Sequence, residues 1–202
     1  RSHCGVNCGE PGTVRVGFFT LYPDCAASPR YRVTQFVPYL RAHGVECSVL
    51  PAVTEQQYQT LTGPNRQGRA MWYHLAETPR RIRQLLGGRR FDIVFIQKAL
   101  MTAYIRGMAG LLRACAKRVV FDLDDAVHLS PPHPLGNPWR VFQDRAQAHK
   151  LSRMADLVLA GNPWLAAAAD AVGARTELFP TVVDTERFAP ATQEPAVYRI
   201  GW

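Results

Sequence analysis

Short apolar segments alternate with longer amphipathic ones between residues 14 and 179, and this alternation constrains the fold most strongly. Six apolar segments are rich in β-branched and aromatic residues, which is typical of buried strands: Val14–Thr20, Val45–Leu50, Phe91–Gln97, Arg118–Leu123, Leu157–Ala160 and Thr176–Phe179. Apolar strands separated by helical segments predict a parallel sheet covered on both faces. The predicted fold class is therefore α/β, with a doubly wound, mostly parallel, Rossmann-like sheet.

Helices are predicted between these strands from apolar residues spaced three and four apart and from Gly and Pro at the ends. The predicted helices run from Ser28 to Leu40 and over Arg69–Leu86, Met101–Ala116, Pro138–Met154 and Pro163–Val172. The polar segment 52–68, which contains Gly and Pro, is predicted to be a loop, as is the Pro- and His-rich segment 126–137.

The composition is that of a globular chain: 202 residues, of which 47% are hydrophobic and 20% charged. No apolar run approaches the roughly 20 residues needed to span a bilayer. The five cysteines form no C-x-x-C pair, and Cys4 and Cys8, with His3, lack a second pair of ligands. Reduced thiols in a cytoplasmic protein are therefore expected, with no metal site.

The formal net charge is +8, and arginines cluster around residues 80–90. Three interpretations are open: a nucleic-acid surface, contact with an anionic membrane, or a solvated basic face. The basic residues are not interleaved with aromatic ones and no nucleic-acid motif occurs, so a nucleic-acid partner is not predicted.

Ligands of open parallel sheets bind beyond the carboxyl ends of the strands, which directs attention to three loops. The first, Thr20–Arg32, leads into a predicted helix and carries Ser28, Arg30 and Arg32. The guanidinium groups of Arg30 and Arg32 suit phosphate or carboxylate, while exposed helix capping is the alternative. The loop contains no G-x-G-x-x-G or Walker A sequence, so NAD and ATP are disfavoured as ligands.

The second loop, after the fourth predicted strand, is acidic and ends in His128. Asp122, Asp124 and Asp125 could bind a metal, act as a base, bind sugar hydroxyls, or cap the end of the strand. If the strand runs as far as Asp125, its alternation places Asp122 and Asp124 on one side of the sheet and Asp125 on the other.

The third loop, Gly161–Trp164, follows the fifth predicted strand. Asn162 precedes Pro163, a pair typical of a helix start. Trp164 could stack on a sugar ring or pack against the protein.

Residues 155–190 form a strand–helix–strand unit that closes on Val183-Asp184-Thr185-Glu186-Arg187-Phe188. This unit resembles the end of the N-terminal domain in the group 1 family of GT-B glycosyltransferases, which closes on Asn-Gly-Val-Asp-x-x-x-Phe. The chain keeps Val183, Asp184 and Phe188 and has Thr181-Val182 in place of Asn-Gly. Asp124-Asp125 stands where the family often has His-Asp.

The resemblance implies the acceptor-side domain of an enzyme that transfers a sugar from a nucleotide-diphospho sugar with retention and without a cofactor or bound metal. It implies catalytic roles near the transferred sugar for Asp124, Asp125 and His128. Substrate-binding roles are expected for Ser28, Arg30, Arg32, Asn162 and Trp164.

The expected organisation is a lead-in (1–13), a Rossmann-like domain (14–190), and a linker with the first strand of a second, donor-binding domain (191–202). On this expectation the chain alone is inactive. Its partners are a nucleotide sugar and an unidentified acceptor, its location is cytoplasmic, and peripheral contact with an anionic membrane is open. A non-catalytic binding module for a phosphorylated small ligand is the alternative. A flavodoxin-like regulatory domain ranks below both because Thr20-Leu21-Tyr22 supplies no acidic residue.

Overall fold

The computed structural model describes residues 13–62, 70–127, 129 and 139–186. His128, the predicted lead-in, and the predicted linker with its strand lie outside these residues, apart from residue 13.

The described part of the chain forms a six-stranded sheet in which every strand pair is parallel. The strands are β1 (Val14–Phe19), β2 (Val45–Val49), β3 (Ile93–Gln97), β4 (Val119–Leu123), β5 (Leu157–Ala160) and β6 (Thr176–Leu178). Their order across the sheet is β2-β1-β3-β4-β5-β6. This confirms the predicted α/β, Rossmann-like fold class.

Seven α-helices connect the described strands: α1 (Ala27–Arg32), α2 (Val37–Ala42), α3 (Glu55–Thr62), α4 (Ala70–Leu86), α5 (Met108–Cys115), α6 (Gln147–Met154) and α7 (Pro163–Asp170). Short 3₁₀ turns span Thr34–Phe36, Gly87–Arg90 and Trp139–Phe142. No helix among the described residues is long and apolar enough to cross a membrane.

The two faces of the sheet bury separate cores. Phe19, Ile96 and Phe121 pack with helices α4 to α7 in the larger core. Val16 and Phe18 pack against the α1–α2 segment in the smaller one. Burial on both faces explains why the strands read as continuous apolar runs rather than as alternating ones.

The loop prediction for residues 52–68 was wrong, because α3 occupies Glu55–Thr62. A capping box starts this helix. Gln57 N donates to Thr54 Oγ1 at 3.2 Å, and Thr54 N donates back to Gln57 Oε1 at 2.8 Å. The Thr-x-x-Gln pattern was present in the sequence and outweighs the weak apolar periodicity of the segment.

Three predicted helices begin later or break earlier than their periodicity suggested. The helix expected at Met101 begins at Met108, because residues 101–104 form a buried loop and φ is positive at Tyr104 and Gly107. The helix expected at Pro138 begins at Gln147, after the 3₁₀ turn at Trp139–Phe142. The helix expected from Ser28 to Leu40 is interrupted at Val33 (φ −133°).

The sheet has a topological switch point at β1. The chain moves outward from β1 to β2 and then crosses back to β3, on the other side of β1. In open α/β sheets the crevice beyond the carboxyl ends of two such strands is the usual place for a ligand.

Candidate functional site

Polar side chains from α1, β3 and the end of β4 meet at this switch point. Ser28 Oγ donates to Asp124 Oδ2 at 2.8 Å, and Gln97 Nε2 donates to Ser28 Oγ at 2.7 Å. Gln97 is buried at the last position of β3. Ser28 and Asp124, which the sequence analysis named in two separate loops, therefore contact each other, and Gln97 links them to the sheet.

Asp124 keeps one carboxylate oxygen for which the described residues offer no hydrogen bond. Its Oδ1 is buried and has no partner among them. A carboxylate only accepts hydrogen bonds, and a buried polar atom without a partner is costly. Such an atom at a ligand-binding edge is suited to accept a hydrogen bond from a hydroxyl or amine of a bound molecule.

Asp125 lies beside this cluster and forms an ion pair with Lys98. The Lys98 side chain is 16% exposed, whereas that of Asp125 is 57% exposed. The Asp125 carboxylate is therefore exposed to solvent while it is paired with the Lys98 ammonium.

Arg32 and Asp122 form a buried ion pair below the cluster. Arg32 Nε donates to both Asp122 oxygens at 3.1 Å, and Arg32 Nη1 donates to the Phe179 carbonyl at 2.6 Å. Arg32 is 2% exposed and Asp122 is fully buried. The predicted contact of Arg32 with a ligand anion stays a prediction; in the structure its guanidinium joins α1, β4 and the segment after β6.

Burial raises the pKa of the Asp122 carboxyl to about 6, although the hydrogen bonds and the charge of Arg32 act in the opposite direction. Asp124 adds a smaller repulsive contribution that also raises the pKa of Asp122. Desolvation of this carboxylate therefore outweighs the attraction of its partner.

Arg30 lines an open cleft of about 510 Å³ on the outer side of α1. The other lining residues come from the loop before α1, from the 3₁₀ turn and α2 that follow it, from the start of α3 and from the segment after β6: Asp24, Cys25, Thr34, Gln35, Pro38, Glu55 and Asp184. Arg30 Nε and Thr34 Oγ1 are buried without a hydrogen-bond partner among the described residues. The cleft has the size of a small-molecule pocket and carries three carboxylates against one guanidinium.

The third predicted loop packs against the acidic one. A Cβ placed on Gly161 would lie 3.3 Å from the Asp124 Cα, so the two loops approach closely. Asn162 Oδ1 accepts a hydrogen bond from Leu165 N at 2.9 Å and caps α7. Trp164 is 57% exposed, which leaves open both predicted roles of its ring.

Sequence reasoning missed Gln97 and Lys98, which follow each other at the end of β3. Their signal was a polar pair, Gln-Lys, directly after the apolar run Ile93–Ile96. β4 ends at Leu123, so the predicted strand alternation does not extend to Asp124 and Asp125. In the structure Asp122 and Asp124 contact α1 residues, whereas Asp125 contacts Lys98.

No group of three or more His, Cys, Asp or Glu side chains among the described residues is arranged to hold a metal ion. The described cysteines, Cys25, Cys47 and Cys115, are free thiols. Cys4 and Cys8 lie outside the described residues.

No protein-family model matches this sequence, and no curated protein matches it. Among solved structures, the chain is similar to the crystal structure of Anabaena Alr3699/HepE in complex with UDP-glucose, with a TM-score of 0.39 and 15% sequence identity. The similarity covers 88% of this chain and 46% of that one, so the chain spans less than half the length of this neighbour.

Proposed function

We propose that this domain is the acceptor-side half of a retaining GT-B glycosyltransferase that transfers a sugar from a nucleotide-diphospho sugar to an acceptor. The observation that carries the proposal is the pair of carboxylates at the switch point. Asp124 has one buried oxygen without a partner in the described structure, and Asp125 is exposed beside it. Sugars present hydroxyl donors, which suit carboxylate acceptors.

In this proposal Asp124 and Asp125 accept hydrogen bonds from hydroxyls of the transferred sugar or of the acceptor, and His128 contacts the same group. Ser28 and Gln97 fix the orientation of Asp124 through the hydrogen bonds described above. Negative charge builds up on the departing diphosphate during transfer, and preorganised donors must stabilise it. We assign most of those donors to a second domain that completes the GT-B architecture.

We assign the cleft at Arg30 to the acceptor. Asp184, which lines it, belongs to the Val-Asp-x-x-x-Phe sequence on which the resemblance rests. Three carboxylates would repel a diphosphate, whereas they suit the hydroxyl groups of an acceptor. Arg30 can then hold a single anionic group of that acceptor, with Asn162 and Trp164 contributing on the other side of the switch point.

A non-catalytic binding module for a phosphorylated small ligand is the second candidate. The buried Arg30 Nε favours it, because a guanidinium donor without a partner in the described structure suits a phosphate oxygen. The two candidates differ in whether a glycosylated product forms.

Ligand-observed NMR on the native protein, with a panel of nucleotide-diphospho sugars, nucleoside diphosphates and sugar phosphates, tests the proposal. We expect a nucleotide-diphospho sugar to bind and Asp125→Asn to weaken that binding. Asp92→Asn is the matched control, because Asp92 lies just before β3, at the opposite edge of the sheet, and pairs with Arg15 and Lys117. Binding of sugar phosphates alone would favour the binding module, and binding of none of the panel would refute the proposal.

A further inference from the structure

We propose that Lys98 is a positioning residue that fixes Asp125 for contact with a substrate hydroxyl. The inference rests on the proposed function and deepens it, since it names the residue on which the orientation of that carboxylate depends.

Lys98 has an unusual backbone conformation. Its φ is +68°, and Ala99 N donates to the Gln97 carbonyl across it at 2.8 Å. This is a γ-turn with positive φ at the central residue, a rare and strained form. A lysine in the left-handed region persists only where the surroundings impose it, and such residues cluster at functional sites.

The surroundings of Lys98 impose this conformation from both sides. Lys98 N donates to the Asp122 carbonyl at 3.0 Å, which ties the turn to the end of β4. The following six residues, 99–104, are each at most 1% exposed. The lysine therefore projects from a rigid, buried loop rather than from a flexible surface segment.

The same loop holds the turn after β4 at two points. Lys98 pairs with Asp125, and the Tyr104 hydroxyl donates to the Val127 carbonyl at 3.0 Å. Within that turn, Val127 N donates to the Asp125 carbonyl at 2.7 Å. Tyr104 also has positive φ, +53°, so both anchoring residues of the loop occupy the left-handed region.

Two consecutive residues therefore orient two different carboxylates. Gln97 orients Asp124 through Ser28, and Lys98 orients Asp125 directly. The Lys98 ammonium pairs with the Asp125 carboxylate, whose side chain is 57% exposed, so a substrate hydroxyl can still donate to it. Lys98 itself is largely buried and acts through Asp125.

A double-mutant cycle on the native protein tests this assignment, with transfer rate as the first readout. We expect Lys98→Met and Asp125→Asn each to slow transfer about tenfold, and the double variant to be no slower than Asp125→Asn. Lys98→Arg should restore the rate to within about threefold, because it keeps the cation. Lys117→Met is the matched control, since Lys117 pairs with Asp92 at the opposite edge of the sheet, and its rate should not change.

Hydrogen exchange at the Val127 amide is the second readout and needs no ligand. Removing Lys98 should free the turn and speed exchange about tenfold or more, with no change in Lys117→Met. Unchanged exchange and transfer in Lys98→Met, or effects of the two single variants that multiply in the double variant, would overturn the inference. If the wild type transfers no sugar, the proposed function fails, and the exchange rates alone decide whether Lys98 holds this turn.

Discussion

Replacing Arg32 with Met should strongly destabilise the domain. Arg32 and Asp122 are 2% and 0% exposed, so the variant leaves a buried carboxylate without its cation. Breaking a buried pair in this way costs about 3–5 kcal/mol. The lost hydrogen bond to the Phe179 carbonyl adds to this cost, because bonds from charged donors contribute about 1.5–3 kcal/mol.

The expected loss is thus about 4.5–8 kcal/mol, against the 5–15 kcal/mol typical of a folded domain. At about 2–4 °C per kcal/mol for a domain of this size, the melting temperature should fall by roughly 10–30 °C. Urea unfolding followed by circular dichroism at neutral pH measures the free energy of unfolding. Arg32→Met combined with Asp122→Leu should recover part of the loss, because no charge is then left buried.

Arg15→Met is the control for this prediction. Arg15 also forms an ion pair with an aspartate, Asp92, but this pair is solvent-exposed and lies at the amino ends of β1 and β3. Its unfolding midpoint should stay close to that of the wild type. A loss of less than about 1 kcal/mol in Arg32→Met would contradict the buried pair as described.

Three further predictions concern stability. Gly17→Ala should cost about 1–3 kcal/mol in urea unfolding, because its Cβ would lie 2.5 Å from a ring carbon of Phe91; an unchanged midpoint would contradict this packing. Asn162→Ala should cost about 1 kcal/mol through loss of the cap on α7, and Asn162→Ser should restore most of it. The pKa of the Asp122 carboxyl is about 6 in the folded state and about 3.9 in the unfolded state, so the folded state binds this proton more tightly. The contribution of Asp122 to the free energy of unfolding is therefore full below about pH 4 and declines as the pH rises to about 6. Asp122→Asn should flatten the pH dependence of the unfolding free energy in that window, and an identical slope would refute the assignment.

The fold class followed from the sequence because burial on both faces of a parallel sheet leaves apolar runs that need no tertiary information to read. All six predicted strands exist, with ends that differ by at most two residues. The helix boundaries were less predictable. Met101–Gly107 has the composition of a helix, but φ is positive at the buried Tyr104 as well as at Gly107, and positive φ at a tyrosine leaves little trace in the sequence.

The candidate site was predictable only in part, because its residues depend on contacts between distant parts of the sequence. Asp124 and Asp125 follow an apolar strand, so their position at the carboxyl edge could be read directly. The partners of these residues could not, because Ser28 is 96 positions from Asp124 and Lys98 is 27 positions from Asp125. Only the strand order of the sheet brings those segments together.

The rate of sugar transfer by Asp125→Asn, compared with that of Asp92→Asn, decides whether Asp125 takes part in the reaction. Both variants remove one carboxylate charge, one beyond the carboxyl end of β4 and the other at the opposite edge of the sheet. With the native protein, a nucleotide-diphospho sugar and its acceptor, the account predicts that Asp125→Asn is at least about tenfold slower, equivalent to about 1.4 kcal/mol of transition-state stabilisation, while Asp92→Asn keeps the wild-type rate. Equal rates in the two variants would remove Asp125 from the site and contradict the account.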